Sequence, residues 1–363
     1  MTTATQLAPY DAVILVSFGG PEKPEDVVPF LRNVTKGRGI PDERLQQVGE
    51  HYYLFGGRSP INDQCRQLIK ALRAELDERG IDTPIYWGNR NWEPYLADAF
   101  AQLEADGHRR ILVITTSAYP SYSSCRQYRE NLYDAAQGTS LQIDRIRQYA
   151  AHPGFVTASV DAVDAALDQL VADGAQLATT RLVYVTHSIP GAMAEASQRS
   201  TRGYVSWHRS VQAEVTRHVS QQRGIAFEDD LVYCSRSGAP GQPWLEPDVN
   251  DHLTALHQQG VKSVVLVPIG FISDHMEVIY DLDTEAAQTA NELGLRFARA
   301  ATAGVHPAFV GGLVDLALER AAIARGEQPV PAVIEGGEVG AVVCPADCCL
   351  NLRDQQRPAL CQL

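Results

Sequence analysis

The sequence has no hydrophobic run near the ~18 residues needed to span a bilayer. Its first twenty residues carry no basic stretch before the short apolar run Ala12–Val16, so neither a secretory signal nor an integral membrane contact is expected, and the expected location is the cytoplasm. Positive charge is scarce: 31 Lys and Arg face 44 Asp and Glu, for a formal net charge of −13. That excludes general nucleic-acid binding, which needs Lys and Arg against phosphate. Nucleotide loops are missing too. No G-x-x-x-x-G-K-[ST] and no G-x-G-x-x-G occurs, so "LVSFGGP" reads as a tight strand-to-helix turn. Cysteine is sparse, seven in all, and in a reducing compartment structural disulfides are not expected.

What is present is an ordinary globular composition, 45% hydrophobic and 21% charged over 363 residues, long enough for about two domains. Short apolar runs mark strands at Ala12–Ser17, Pro84–Gly88, Arg110–Thr115, Arg181–Thr186, Leu231–Ser235 and Ser263–Ile269. Helical patterns lie between them, among them "INDQCRQLIKALRAELDERG", "PGFVTASVDAVDAALDQLVADG" and "HPAFVGGLVDLALERAAIARG". This alternation predicts an α/β fold in two similar halves, with mainly parallel sheets flanked by helices. No repeat of residue identity is evident. The reading divides the chain into residues 1–160, 161–326 and a cysteine-rich tail 327–363. Ligands in such sheets bind at the carboxyl ends of the strands. The loops there carry most of the unusual residues, including His187, His275, Trp92, Trp244 and Tyr128.

Three groups of residues can carry chemistry. In "RLVYVTHSIP", His187 ends an apolar strand, where it can act as a base, ligate a metal or serve as a hydrogen-bonded structural histidine. In "SDHMEVIYDLDTE", residues 273–285, five carboxylates fall within thirteen residues. Glu277, Asp281 and Glu285 stand at i, i+4 and i+8, one row on a helix, although like charges so spaced repel. A helix start welcomes the first acids through its dipole, and the rest could be a solvated face. As hard oxygen donors they also suit a divalent cation, and with His187 they make a His/carboxylate metal site. Third, Cys344-x3-Cys348-Cys349-x11-Cys361 concentrates thiols in a way that suits zinc or an iron–sulfur cluster. Four ligands could come from the tail alone, or Cys125 of "SYSSCRQY" could join three from the tail; Cys65 and Cys234 read as core residues.

Taken together, "LVSFGGPEKPEDVVPFLRNVTKGRGIP", "FGGRSPIN", "VTHSIP", "SRSGAPGQPWLEP" and "LVPIGFISDHMEVIYDLD" resemble segments of the ferrochelatase family, in the family's order, from residue 12 to about residue 326. The resemblance implies two Rossmann-like, chelatase-type halves with a porphyrin cleft between them, and an enzyme that inserts Fe2+ into a porphyrin. It implies His187 and Glu277 as the catalytic pair. Asp281 and Glu285 would continue the iron path along a helix widened to a π-helix. Within the family the chain looks most like the actinobacterial coproporphyrin III branch, whose cysteine-rich tail binds a [2Fe–2S] cluster. Cys125, Cys344, Cys348 and Cys349 are then the expected ligands, with Cys361 as substitute. Ser59 and Tyr128 match positions that hold porphyrin carboxylates. Phe18 stands where some members have an iron-reaching tyrosine. Lys36, Arg38, Arg58, Arg126 and Arg129 would offer positive charge to a four-carboxylate substrate in an acidic protein. A monomer is expected. The alternatives are a protoporphyrin IX ferrochelatase, a cobalt or nickel chelatase for sirohydrochlorin, and a non-catalytic haem or iron carrier with a sensing cluster.

Overall fold

The computed structural model describes residues 6–237 and 241–361. Two four-stranded sheets organise it. The first contains β1 (Ala12–Ser17), β2 (Ile85–Asn89), β3 (Arg110–Thr115) and β4 (Gln142–Arg145) in the order β2-β1-β3-β4. The second contains β5 (Thr180–His187), β6 (Glu228–Cys234), β7 (Ser263–Val267) and β8 (Arg296–Arg299) in the order β6-β5-β7-β8. Every pairing is parallel. Helices α1 (Val27–Val34), α2 (Asp42–Tyr53), α3 (Ile61–Glu78), α4 (Leu96–Ala105) and α5 (Gln127–Ala136) belong to the first half. Helix α6 (Pro153–Ala172) leads into the second, which holds α7 (Gly191–Ser197), α8 (Tyr204–Arg223), α9 (Val249–Gln258), α10 (Met276–Ile279), α11 (Ala287–Glu292) and the returning α12 (Pro307–Ala324). The predicted α/β class and paired halves are thus observed.

Central strands are buried throughout, as "AVILVS" of β1 and "SVVLV" of β7 require when helices cover both faces. The sequence pattern missed β4 ("QIDR") and β8 ("RFAR"). Both are four-residue edge strands rich in polar and charged residues, with Gln142 and Arg296 exposed, and so lack an apolar run.

The two halves do share residue identity, contrary to expectation, where they meet. "HPGFVTASVD" opens α6 and "HPAFVGGLVD" opens α12, each directly after the last strand of its half. In both, Pro occupies the first helical turn, and the preceding histidine's Nδ1 accepts from the backbone N–H two residues on (Gly154 and Ala308). The helices pack against each other, with the Phe155 and Phe309 rings 5.9 Å apart at 68°. His306 pairs with Asp161 at 3.1 Å. This is the seam of one continuous core that runs from Leu15 and Leu112 to Leu182 and Val265. The 160/161 division falls inside α6.

Below the carboxyl end of β5 lies a buried polar network. His208 Nδ1 donates to the Tyr204 carbonyl (2.7 Å), which leaves Nε2 to accept from Thr186 Oγ1 (2.9 Å). Tyr204 O–H donates to the His187 carbonyl (3.0 Å) and lies 2.7 Å from Thr186 Oγ1. Tyr119, from the first half, stacks on the His208 ring at 3.5 Å and 10°. The network fixes the backbone that carries His187.

Two outcomes are expected. A Cβ on Gly154 would lie 2.2 Å from the Ala308 carbonyl oxygen, so Gly154→Ala should force the helices apart and lose about 1–3 kcal/mol in a denaturant titration; an unchanged midpoint would refute the tight seam. Burial, only partly opposed by its bond to the Tyr204 carbonyl, pushes the His208 imidazole down to about 3. The native state then binds fewer protons here than the unfolded chain between about pH 6.5 and 3, so stability falls as pH drops through that range. His208→Gln should melt lower at pH 8 but show a shallower acid decline. His152 and His275 are also shifted down and stay in both proteins, so the difference isolates His208.

Candidate active site

Strands β5 and β7 are neighbours, with the connections leaving in opposite directions on either side. Their carboxyl ends therefore open a crevice at a topological switch point. His187 is the last residue of β5, and Glu277 lies in α10 after β7. They meet: His187 Nε2 is 3.1 Å from Glu277 Oε1, and their side chains remain 31% and 44% exposed to the crevice. His187 Nδ1–H donates to the Ser188 carbonyl, which fixes the ring. Burial alone would lower the imidazole pKa, but the Glu277 charge and hydrogen bond outweigh it and raise it to about 9. Burial likewise disfavours the Glu277 carboxylate, yet His187 brings it down to about 2. At neutral pH the two form an ion pair. His275 caps α10, its Nδ1 accepting from Glu277 N–H at 3.2 Å.

The acidic stretch divides into two kinds of carboxylate. Arg299 takes Asp283 with two bonds of 2.6 and 2.9 Å, and Asp274 at 3.2 Å. Glu277, Asp281 and Glu285 have no Lys or Arg partner among the described residues. They run from the crevice to the surface, Glu285 being the exposed end. Glu277 lies in α10, and a π-helical segment, Asp281–Ala286, holds Asp281 and Glu285, with Glu285 N–H donating to the Tyr280 carbonyl five residues back (2.9 Å). Residues spaced by four drift around an α-helix of 3.6 residues per turn; the wider turn keeps them in a row. Asp281, buried and facing the charges of Glu277 and Glu285, is raised to about 7 despite a hydrogen bond from Ser235. Ser235 sits just past β6 with φ 62, so three adjacent strands contribute to one site. On the opposite wall Tyr52 is pushed up, by burial first and then by the charges of Glu277 and Asp281, and His51 stacks on Tyr280 at 3.9 Å. Sequence reading did not select Arg299, Ser235, Tyr52 or His51. Arg299 was hidden in an edge strand that the pattern missed, and the others carry no local signal.

The remaining candidates lie in the first half. Phe18 follows β1 and meets Phe30 edge-on at 6.2 Å. The Arg90 guanidinium lies 4.3 Å over the Tyr128 ring and 5.5 Å from that of Phe18. Tyr128 and Ser59 are buried, and Ser59 Oγ accepts from Ile61 N–H at 3.4 Å. Arg38 is exposed, with no carboxylate partner among the described residues. Arg126 and Arg129 depart from expectation. Both are buried and point to the tail: Arg126 donates to the Ala346 and Arg357 carbonyls (2.8 Å each), and Arg129 to that of Cys348 (3.3 Å). Arg58 is paired with Asp63.

After α12 the chain has no helix or strand and crosses both halves. Glu338 accepts from Arg202 N–H and Trp207 Nε1–H, and Asp347 from Ser200, all in the second half. The tail then reaches the first half, where Cys344, Cys348 and Cys349 form one buried cluster beside the buried Cys125. Cys125 is pushed well up by its hydrogen bond with Cys344 and by burial. Cys348 and Cys349 Sγ are 3.9 Å apart, and Cys349 has φ 52. Cys361 is less buried, its Sγ 3.7 Å from the Ile143 carbonyl. Arg145 Nη2 lies 3.1 Å from Cys344 Sγ. Cys65 and Cys234 are core residues, as expected. Among the described residues, no three or more His, Cys, Asp or Glu side chains are already closed around a single metal position.

Comparison with known proteins agrees with this geometry. The profile of the family described as Ferrochelatase matches residues 10–321. Coproporphyrin III ferrochelatase of Streptomyces coelicolor is 52% identical over 365 residues, covering 96% of each chain. That of Streptomyces griseus is 51% identical over 94% of each. Among solved structures, SirB from Bacillus subtilis with Fe3+ superposes with a TM-score of 0.51 at 12% identity, covering 87% of this chain and 97% of that one, a likeness of fold. The chain belongs to the ferrochelatase family.

Proposed function

We propose that this protein inserts Fe2+ into coproporphyrin III to give iron coproporphyrin III, a lyase of haem biosynthesis, with His187 and Glu277 as the catalytic pair. The observation that carries the mechanism is the His187–Glu277 contact at the inner end of a carboxylate row that has no Lys or Arg partner among the described residues. Iron enters along Glu285 and Asp281, exchanging water for carboxylate oxygen stepwise. Its charge relieves the repulsion within the row. At Glu277 it displaces the ion pair, so the carboxylate no longer holds a proton on His187, and that proton leaves to water in the crevice. The freed imidazole accepts a pyrrole proton from the ring above it, passes it to water and accepts the second in turn. The balance is one Fe2+ in and two protons out, with no change of oxidation state. Coproporphyrin, with four carboxylates, is favoured over protoporphyrin by the names of the relatives at 51–52% identity. Ser59, Tyr128, Phe18 and Arg38 would form the porphyrin's surroundings. We read the protein as a cytoplasmic monomer in the three parts 1–160, 161–326 and 327–363.

The tail residues fit a [2Fe–2S] cluster. Cys125, Cys344, Cys348 and Cys349 would hold it, with Cys361 in reserve. Two features support this. The donors are thiols gathered in one buried place. Beside them stand Arg145 and Arg129, buried and without a carboxylate partner among the described residues, each with an unsatisfied Nε–H. Burial disfavours the Arg145 charge and the Cys125, Cys344 and Cys361 sulfurs act in the opposite sense, and with Arg145 Nη2 3.1 Å from Cys344 Sγ the guanidinium would balance negative charge placed on these sulfurs. When bound, the cluster supplies cross-linking of the tail to the first half and takes no part in metallation.

The test of function is anaerobic mixing with Fe2+ and coproporphyrin III, followed by the metalloporphyrin spectrum. Multiple turnovers are expected; stoichiometric binding alone would indicate a carrier. His187→Ala should bind porphyrin but lose at least about a hundredfold in kcat, and Glu277→Ala should also lower kcat. Asp281→Ala and Glu285→Ala should raise the KM for Fe2+ more than they lower kcat. Small, equal effects at all four would reduce the row to a solvated helix face. For the cluster, anaerobically purified protein should be brown with two non-haem irons per chain, and Cys125→Ser should bleach it and lower the Tm. A colourless zinc protein, or an intact cluster in Cys125→Ser, would overturn the ligand set.

A further inference from the structure

Past α12 the tail is pinned to the first half on both sides of Glu338. Upstream, Ile334 N–H donates to the Ala151 carbonyl (2.9 Å), and Arg147 donates to that of Ala332 (2.8 Å). Downstream, a Cβ on Gly340 would lie 2.9 Å from the backbone N and O of Gln148, and Arg145 donates to the Ala341 carbonyl (3.1 Å). Between these anchors Glu338 reaches across to the second half. Its Oε2 accepts from Trp207 Nε1–H at 2.5 Å and from Arg202 N–H at 2.8 Å, and the Arg202 guanidinium donates to the Gly336 carbonyl at 2.9 Å. These donors flank the start of α8, whose N-cap, Gly203, has no side chain to offer the first turn. A carboxylate more than 130 residues away in sequence supplies the negative charge that a helix start favours. The same turn holds His187. Tyr204, its first residue, donates its N–H to Ser197 Oγ (2.9 Å) and its O–H to the His187 carbonyl (3.0 Å). The buried Trp207 closes the turn, its backbone N–H donating to the Gly203 carbonyl (3.1 Å).

We infer that Glu338 is a positioning residue for metal insertion: by holding Trp207 and Arg202 it sets the first turn of α8, and through Tyr204 O–H that turn sets where His187 stands at the end of β5. The inference rests on the reading of His187 as the base. Glu338 touches neither the base nor Glu277, so its effect passes through two hydrogen bonds and one helical turn. Without it, the buried Trp207 N–H loses its acceptor and must move toward another, and Tyr204 shares its turn. A base misplaced by about 1 Å can lose about a hundredfold in rate. The first half also grips α8 from a second side, since Tyr119 stacks on His208 at 3.5 Å. The position of His187 therefore registers how the first half and the tail sit against the second.

The test compares full-length, cluster-loaded wild type with Glu338→Ala, Glu338→Gln and Trp207→Phe, and with Arg217→Ala, on the exposed face of α8, as control. Steady-state metallation with Fe2+ and coproporphyrin III is read beside amide hydrogen exchange of residues 186–190. Glu338→Ala should lower kcat by at least about tenfold and leave the KM for both substrates within about twofold. Glu338→Gln keeps an oxygen for both N–H donors and should restore kcat to within about twofold. Trp207→Phe, which loses one donor and keeps the packing, should fall between them. Exchange of residues 186–190 should quicken in Glu338→Ala and stay as wild type in Glu338→Gln and Arg217→Ala. An unchanged kcat in Glu338→Ala, an equal loss in Glu338→Gln, or a loss carried by KM would overturn the positioning role. So would bleaching of the tail's visible absorption in Glu338→Ala, because Glu338 would then act by retaining the cluster. If wild type itself does not metallate the porphyrin, the functional reading falls, and exchange still decides the link: unaltered exchange in Glu338→Ala refutes it, and faster exchange upholds it.

Discussion

Three carboxylates without a Lys or Arg partner among the described residues stay in a row because a row of apolar side chains beside them is buried. Val278, Leu282 and Ala286, each one residue after Glu277, Asp281 and Glu285, are fully buried, and Ala290 continues the spacing of four. Repulsion between like charges at this spacing is about 0.2–0.5 kcal/mol per pair. Burial of Val278 and Leu282 contributes roughly 1.5–3 kcal/mol each. Packing therefore wins severalfold, and the protein can keep an electrostatically unfavourable surface at no risk to the fold. The π-helical turn straightens both rows, since on an α-helix residues four apart drift by about 40° per step. Arg299 completes the separation by neutralising only Asp274 and Asp283, which lie off the row.

Charge is sorted across the crevice as a whole. The second half presents the carboxylate row and the His187–Glu277 pair, while the first half presents Arg90 over Phe18 and Tyr128. On the proposed function, a cation and a polyanion would be drawn to different walls of one cleft. The switch-point arrangement of β5 and β7 makes this possible, because the chain leaves these strands in opposite directions and opens a gap between them.

Much of this was legible in the sequence. β1 and β3 were read to the residue because buried parallel strands are continuous apolar runs. The acidic spacing and the strand-end histidine identified residues that the fold does bring together. The strict spacing of four in the apolar row was an unused sign of the π-helical turn. Other features had no one-dimensional signature. Arg126 and Arg129 stand near Tyr128 in sequence, yet their side chains point to a segment more than 200 residues away. The repeat at His152 and His306 was visible but short, and only the packing of α6 on α12 gives it meaning.

The crossing of the tail over both halves has a consequence for biosynthesis. The first half leaves the ribosome early, with Arg126, Arg129 and Arg145 destined for burial and their carbonyl and thiol partners not yet made. Those partners, residues 341–360, are translated 196 to 231 residues later. Until they emerge, the nascent chain must keep a trio of guanidinium groups hydrated at a surface meant to be dry. Docking of the tail then waits on its own synthesis, and a product cut short before residue 341 would leave these charges as an open, basic wound.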